Sequence, residues 1–195
     1  MEQTVVFYPA DQREWRQWLN ENHMTQEAVW VVFKTKSSGL PSLTWSEAVD
    51  EALCFGWIDS KKIKIDSETS HQFFCKRKPK STWSKINKDK VHQLTAMGLM
   101  TEAGYLSIET AKQNGSWSIL DEVEELTIPD DLEKAFALHQ GAKAAFMGLS
   151  RSTIKLKLTL LLFAKKPETR QAHIAGIIRL ALQRDSSDTQ KKPKK

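Results

Sequence analysis

Five cations fall within ten residues, beside an aromatic pair and a tryptophan, in Phe73-Phe74-Cys75-Lys76-Arg77-Lys78-Pro79-Lys80-Ser81-Thr82-Trp83-Ser84-Lys85-Ile86-Asn87. Isolated buried cations are expensive, so a packed core has no place for this stretch. Pro79 and the small hydroxyl residues around it argue against one regular element running through it. The chain is therefore expected to leave a strand, cross an exposed basic loop and enter a helix here. Such a loop is a surface suited to anions.

The surrounding charge sharpens that reading. Residues 61–90 carry ten basic and three acidic side chains, while residues 1–60 and 91–130 are both net negative. A generic nucleic-acid binder is more uniformly basic. One basic block between acidic ones points instead to a localised patch or to internal pairing. With 195 residues, 40% of them hydrophobic and seven of them tryptophan, the chain can bury a real core in one large domain or two small ones.

Cys54 and Cys75 each lie beside a phenylalanine, and two cysteines in a chain this long do not make a disulfide framework. A reduced, cytoplasmic setting is expected. Met1-Glu2-Gln3-Thr4 shows no basic start to a signal peptide. The apolar run from Leu158 to Ala164 is too short to span a bilayer.

Along the chain, Thr4–Tyr8 and Ala28–Lys34 read as strands, with a helix capped by Asp11 between them. Thr44 and Glu47 form a capping box for a second helix, which Gly56 stops. Ile58–Ile65 and Ser70–Lys76 read as a strand pair. Ser84 caps a helix to about Met97, and Thr101 opens another. A further helix is expected from Pro129 to about Met147, and a last one from Pro167. Residues 150–164 alternate like a strand yet are long and leucine-rich enough for a helix. Strands early and helices late give an α+β fold with a small antiparallel sheet and a helical C-terminal part.

Two segments, Glu51-Ala52-Leu53-Cys54-Phe55-Gly56-Trp57-Ile58-Asp59-Ser60 and Arg77 through Asn87, resemble the bacterial YdeI/OmpD-associated family, whose members are commonly labelled bacteriocin-protection proteins. Ala164-Lys165-Lys166-Pro167-Glu168-Thr169-Arg170 resembles the signature of its OmdA domain, and Gly98-Leu99-Met100-Thr101-Glu102-Ala103-Gly104 fits between them. The resemblance spans roughly residues 10–184. It implies an α+β N-terminal domain over 1–97, a helical and acidic connector over 98–130 and a helical OmdA-like domain over 131–184. It also implies a helix at 150–164 and a connection to resistance against antimicrobial peptides. The polar basic stretch 185–195 is expected to be a disordered tail.

The candidate site is an anion surface around the basic loop. Arg77 would clamp the anion, Lys76, Lys78 and Lys80 would add field, Lys85 would share their exposed face, and Trp83 would offer a stacking face. Ser81, Ser84 and Asn87 open the following helix, where free N–H groups can cradle an anion. Trp57, Asp59 and Lys61 lie at the helix-to-strand junction, where Asp59 can pair with Arg77 or orient Lys61. No catalytic set, metal-ligand spacing or cofactor motif is visible. The expected function is non-enzymatic binding of an anionic small molecule or an acidic protein surface. An enzyme acting on a phosphorylated or carboxylated small molecule, and a nucleic-acid binder, are the alternatives.

Overall fold

The first strand, β1 (Val5–Phe7), is followed by helix α1 (Gln12–Asn22) and strand β2 (Ala28–Lys34). Asp11 caps α1 by accepting the Glu14 N–H at 2.9 Å. The helix buries Trp15 and Leu19 completely, on one face four residues apart. A helix placed between two strands returns the chain in its starting direction, so β1 and β2 pair in parallel. The sheet is therefore mixed, not the antiparallel sheet expected from strand content alone.

Helix α2 (Trp45–Cys54) follows, and both halves of the Thr44–Glu47 capping box are formed. Strands β3 (Trp57–Lys64) and β4 (Thr69–Lys76) make an antiparallel hairpin, with a register shift between Asp59 and Lys62. β4 also pairs antiparallel with β2, giving the strand order β1-β2-β4-β3. Helices α3 (Lys85–Ala96) and α4 (Glu102–Gln113) then join α1 and α2 over one face of the sheet. That face contributes Val29, Val31, Trp57 and Phe74 to the core. Trp15 stacks on Trp18 at 5.3 Å and donates its indole N–H to Ala48 O at 3.0 Å.

The structure, a computed structural model, describes residues 4–189, and the chain divides into two units between Ile119 and Leu120. The second unit holds α5 (Asp121–Glu124), α6 (Asp130–Ala137), α7 (Ala142–Met147), α8 (Arg151–Leu162) and α9 (Pro167–Thr189), with no strand among the described residues. The single helix expected from Pro129 to Met147 is broken in two: α6 stops at Ala137, and Gly141, with a left-handed φ of 80°, precedes the start of α7. Residues 151–162 are helical, and Ile154, Leu158 and Leu161 recur at four and three to reach the core. Leu156 and Leu160 remain exposed. α9 runs to Thr189, and the rest of the expected basic tail lies outside the described residues.

Arg170 ties this unit together. Its Nη2 donates to Asp131 Oδ1 at 2.9 Å, its Nε donates to Oδ2, and its Nη1 donates to Leu161 O at the end of α8. That guanidinium holds the Asp131 carboxyl below its ordinary value. A depressed carboxyl stabilises the fold above the unfolded value of about 3.9 and loses that contribution as the pH falls further. Both side chains are about a third exposed, so the pair is worth no more than about 1 kcal/mol at neutral pH. Asp131→Asn is expected to lower stability slightly at neutral pH and to flatten its loss below pH ~4. Urea melts of both proteins from neutral to acid pH measure this.

Candidate functional site

The basic loop does not stand free. Asn114 Nδ2 donates to Pro79 O at 2.7 Å, and Ser116 Oγ donates to the same carbonyl at 3.3 Å. The Ser81 N–H closes a turn on Lys78 O at 2.9 Å. Trp83, 1% exposed, packs against Trp117 with ring centroids 5.0 Å apart. Its ring is core, so the stacking face expected there is not open to a ligand.

Arg77 follows Trp83 inward. Its guanidinium carbon lies 3.7 Å from the Trp83 ring centroid, and Nη2 donates to Thr82 O at 2.7 Å. A planar, weakly hydrated cation suits an aromatic ring in this way, whereas a lysine ammonium keeps its water. Lys78 and Lys80 do remain exposed, and Lys85 is exposed and pairs with Asp89. The four cations thus do not share one open face, because Arg77 has left it.

The buried guanidinium is under-partnered. Arg77 Nε and Nη1 are sealed from solvent and bond to no protein group, and the same holds for Trp57 Nε1. No carboxylate approaches Arg77 within ion-pair distance among the described residues. Burial pulls its pKa down to about 10, against the opposing fields of Asp59 and Cys75. It remains a cation at neutral pH. Asp59 is engaged elsewhere, accepting from Trp45 Nε1 at 2.9 Å and Gln72 Nε2 at 3.0 Å. The contrast is Glu51, a buried charge that is fully met by Arg16 at 2.6 Å and Gln12 at 2.8 Å.

Arg77 and Trp57 both line a cavity of about 250 Å³. Met24, Phe55, Ala103 and Leu106 make its apolar walls, with Ser107 and Thr110 on the same helix, α4. His23, Lys76 and Pro79 complete the lining. Two glycines allow α4 to approach the α2–β3 corner. Gly56 has a φ of 73°, and its carbonyl accepts the Arg77 N–H at 2.9 Å. A Cβ on Gly104 would stand 2.3 Å from Cys54 O. Thr101 clamps that carbonyl with its N–H at 3.1 Å and its hydroxyl at 2.6 Å.

A larger depression of about 630 Å³ lies on the second unit, but its Glu133 and Lys143 satisfy each other at 2.6 Å. Among the described residues, the buried unmet donors of Arg77 and Trp57 belong to the lining of the first-unit cavity.

The remaining candidates are placed individually. Ser84 caps α3 through the Asn87 N–H at 3.3 Å, so the two serve the helix start. Lys61 sits over the Trp30 and Phe73 rings, 5.2 Å from each, on the other side of the sheet. Sequence reasoning missed the α4 wall. Its signal was the pairing of Gly56 with Gly104, both inside quoted segments and both small where two elements must touch.

Residues 125–184 match the family described as bacteriocin-protection, YdeI or OmpD-associated (OmdA), and residues 7–107 match a domain of unknown function, DUF8412. The chain belongs to the DUF8412 family and carries an OmdA domain. No curated protein and no solved structure matches it. The cavity lies almost wholly within the DUF8412 segment, and the Arg170–Asp131 tie lies within the OmdA segment.

The site holds no activated thiol. Burial pushes the Cys54 thiol up to about 11, with Glu51 adding to the shift, and burial also raises Cys75. Alkylation by iodoacetamide near pH 8 is expected to be slow at both cysteines in the folded protein and fast after unfolding, read by mass spectrometry. No cluster of three or more His, Cys, Asp or Glu is placed to hold a metal among the described residues. No helix of the described chain is long and apolar enough to cross a membrane.

Proposed function

We propose that this protein is a cytoplasmic, non-enzymatic binder of a small organic anion, acting within the protection role that the OmdA description names. The observation that carries the reading is Arg77: a half-buried cation whose Nε and Nη1 are buried, with no ion-pair partner among the described residues, bordering a cavity walled by apolar side chains. A lone buried charge is costly, and a bound anion offsets that cost. One guanidinium matches one carboxylate, and the Met24, Phe55 and Leu106 walls match a compact apolar body. Trp57 Nε1, on another residue of the same lining, is a second donor without an acceptor. The exposed Lys78 and Lys80 supply an attractive field at the loop, screened by salt.

The binding reading is favoured over an enzyme because the cavity wall brings no acid–base pair together and both thiols are held protonated. A thermal-shift panel followed by calorimetry tests it, using benzoate, short branched carboxylates and inorganic phosphate. A carboxylate with an apolar body should raise the melting temperature with increasing concentration, and Arg77→Met should abolish the effect. Equal stabilisation of the wild type and Arg77→Met, or none by any anion, would refute the proposal.

A further inference from the structure

The four-stranded sheet has a second face, and it is the wrong chemistry for water. All four helices of the first unit join the core through the other face. By register, Val6, Trp30 and Phe73 form a row across β1, β2 and β4, and Val32, His71 and Ile63 form the next row. Val32 is buried, and the other five stand outside the buried core. An exposed sheet face normally alternates to polar residues. This one carries two large, half-buried aromatics, Trp30 and Phe73, packed edge to face at 4.9 Å, with Val6 56% and Ile63 40% exposed. A continuous apolar face of this kind marks an interaction surface.

The charge on the sheet says what fits it. The four strands carry lysines 34, 61, 62, 64 and 76 and a single carboxylate, Asp59. Asp59 stands opposite Phe74 on the core side, bonded to Trp45 and Gln72. Lys61 lies over both rings of the Trp30–Phe73 pair and has no carboxylate partner among the described residues. Lys34, one row beyond His71, donates to Thr69. The nearby acids are committed: Asp66 accepts two backbone N–H groups in the β3–β4 turn, and Glu27 pairs with Lys76. A second copy of this face would set lysine against lysine.

We infer that the outer face of the sheet binds single-stranded nucleic acid, with bases on Trp30 and Phe73 and phosphates on Lys61 and Lys34. Unpaired bases offer flat π-faces to such rings, and the interaction tolerates any sequence. A duplex hides those faces in its stack. This surface is separate from the Arg77 cavity and does not depend on it.

Fluorescence anisotropy on the full chain tests the inference, with a labelled single strand of about 12 nucleotides and the matching duplex, spanning several nucleotide site sizes. Micromolar or tighter binding of the single strand is expected, weaker binding of the duplex, and a steep fall with salt as counterions are released. Phe73→Leu and the exposed Lys61→Glu should each weaken single-strand binding about tenfold, and Lys143→Ala on the second unit should leave it unchanged. No binding at low salt, equal competition by inorganic polyphosphate, or unchanged affinity in Lys61→Glu would each overturn the inference.

Discussion

Gly104→Ala is expected to lower the melting temperature of the first unit by about 10 °C or more. The added Cβ would meet Cys54 O at 2.3 Å and Met100 Cε at 2.8 Å. The first of these is backbone and cannot swing aside, so α4 must move off the α2–β3 corner. Overpacking of this severity costs on the order of 3 kcal/mol or more. The shift also opens the cavity wall, since Ala103, Leu106 and Ser107 ride on the same helix. Gly98→Ala is the control. It carries a positive φ of 68° but meets nothing within 4 Å, so it bears only the left-handed penalty of about 1–2 kcal/mol. Calorimetric melts of the three proteins measure the difference. Equal losses at Gly98 and Gly104 would show that the close approach is not what fixes α4.

Arg77→Met is expected to separate stability from binding. Removing a partnered buried charge usually destabilises a fold strongly, because its partner is left alone. Arg77 has no such partner, so methionine of similar length removes an uncompensated charge from the interior. Against that stand the lost contact with Trp83 and the hydrogen bond to Thr82 O, each worth about 1 kcal/mol. The ligand-free variant should therefore melt at or above the wild-type temperature. Binding of a matching carboxylate should fall about a hundredfold, the usual consequence of deleting one half of a desolvated charge pair. A strongly destabilised Arg77→Met would mean that the arginine serves the fold rather than a ligand.

Much of the fold was legible because local chemistry and tertiary structure agree. Asp11, Thr44, Ser84 and Thr101 all accept the N–H three residues on, and Pro167 does begin the last helix. What local chemistry does not carry is strand direction. The β1-α1-β2 order already implies a crossover and hence a parallel pair, but strand propensity alone reads as antiparallel. The 151–162 segment misleads in another way. Its alternating Ile154-Lys155-Leu156-Lys157-Leu158 mimics a strand, while its buried set of Ile154, Leu158 and Leu161 is helical.

The candidate site was half legible. The basic stretch does run as a loop from β4 to α3, yet Arg77 turns inward. Charge alone argued for exposure at Arg77, and nothing in the spacing of residues 77 and 83 announced that the guanidinium would lie on the Trp83 ring. The α4 wall was invisible because it comes from residues some thirty positions further on, brought in by the Gly56–Gly104 contact.

The central claim is that Arg77 awaits an anion, and nitrogen-resolved NMR tests it most directly. Arg77 Nε–H and Trp57 Nε1–H are sealed and unpartnered, so both should give slowly exchanging, distinct signals. Titration with benzoate or a branched carboxylate should move both signals saturably, while the Nε–H of the exposed Arg13 stays in place. Signals for Arg77 and Trp57 that shift no further than that of Arg13 at any anion concentration would contradict the account.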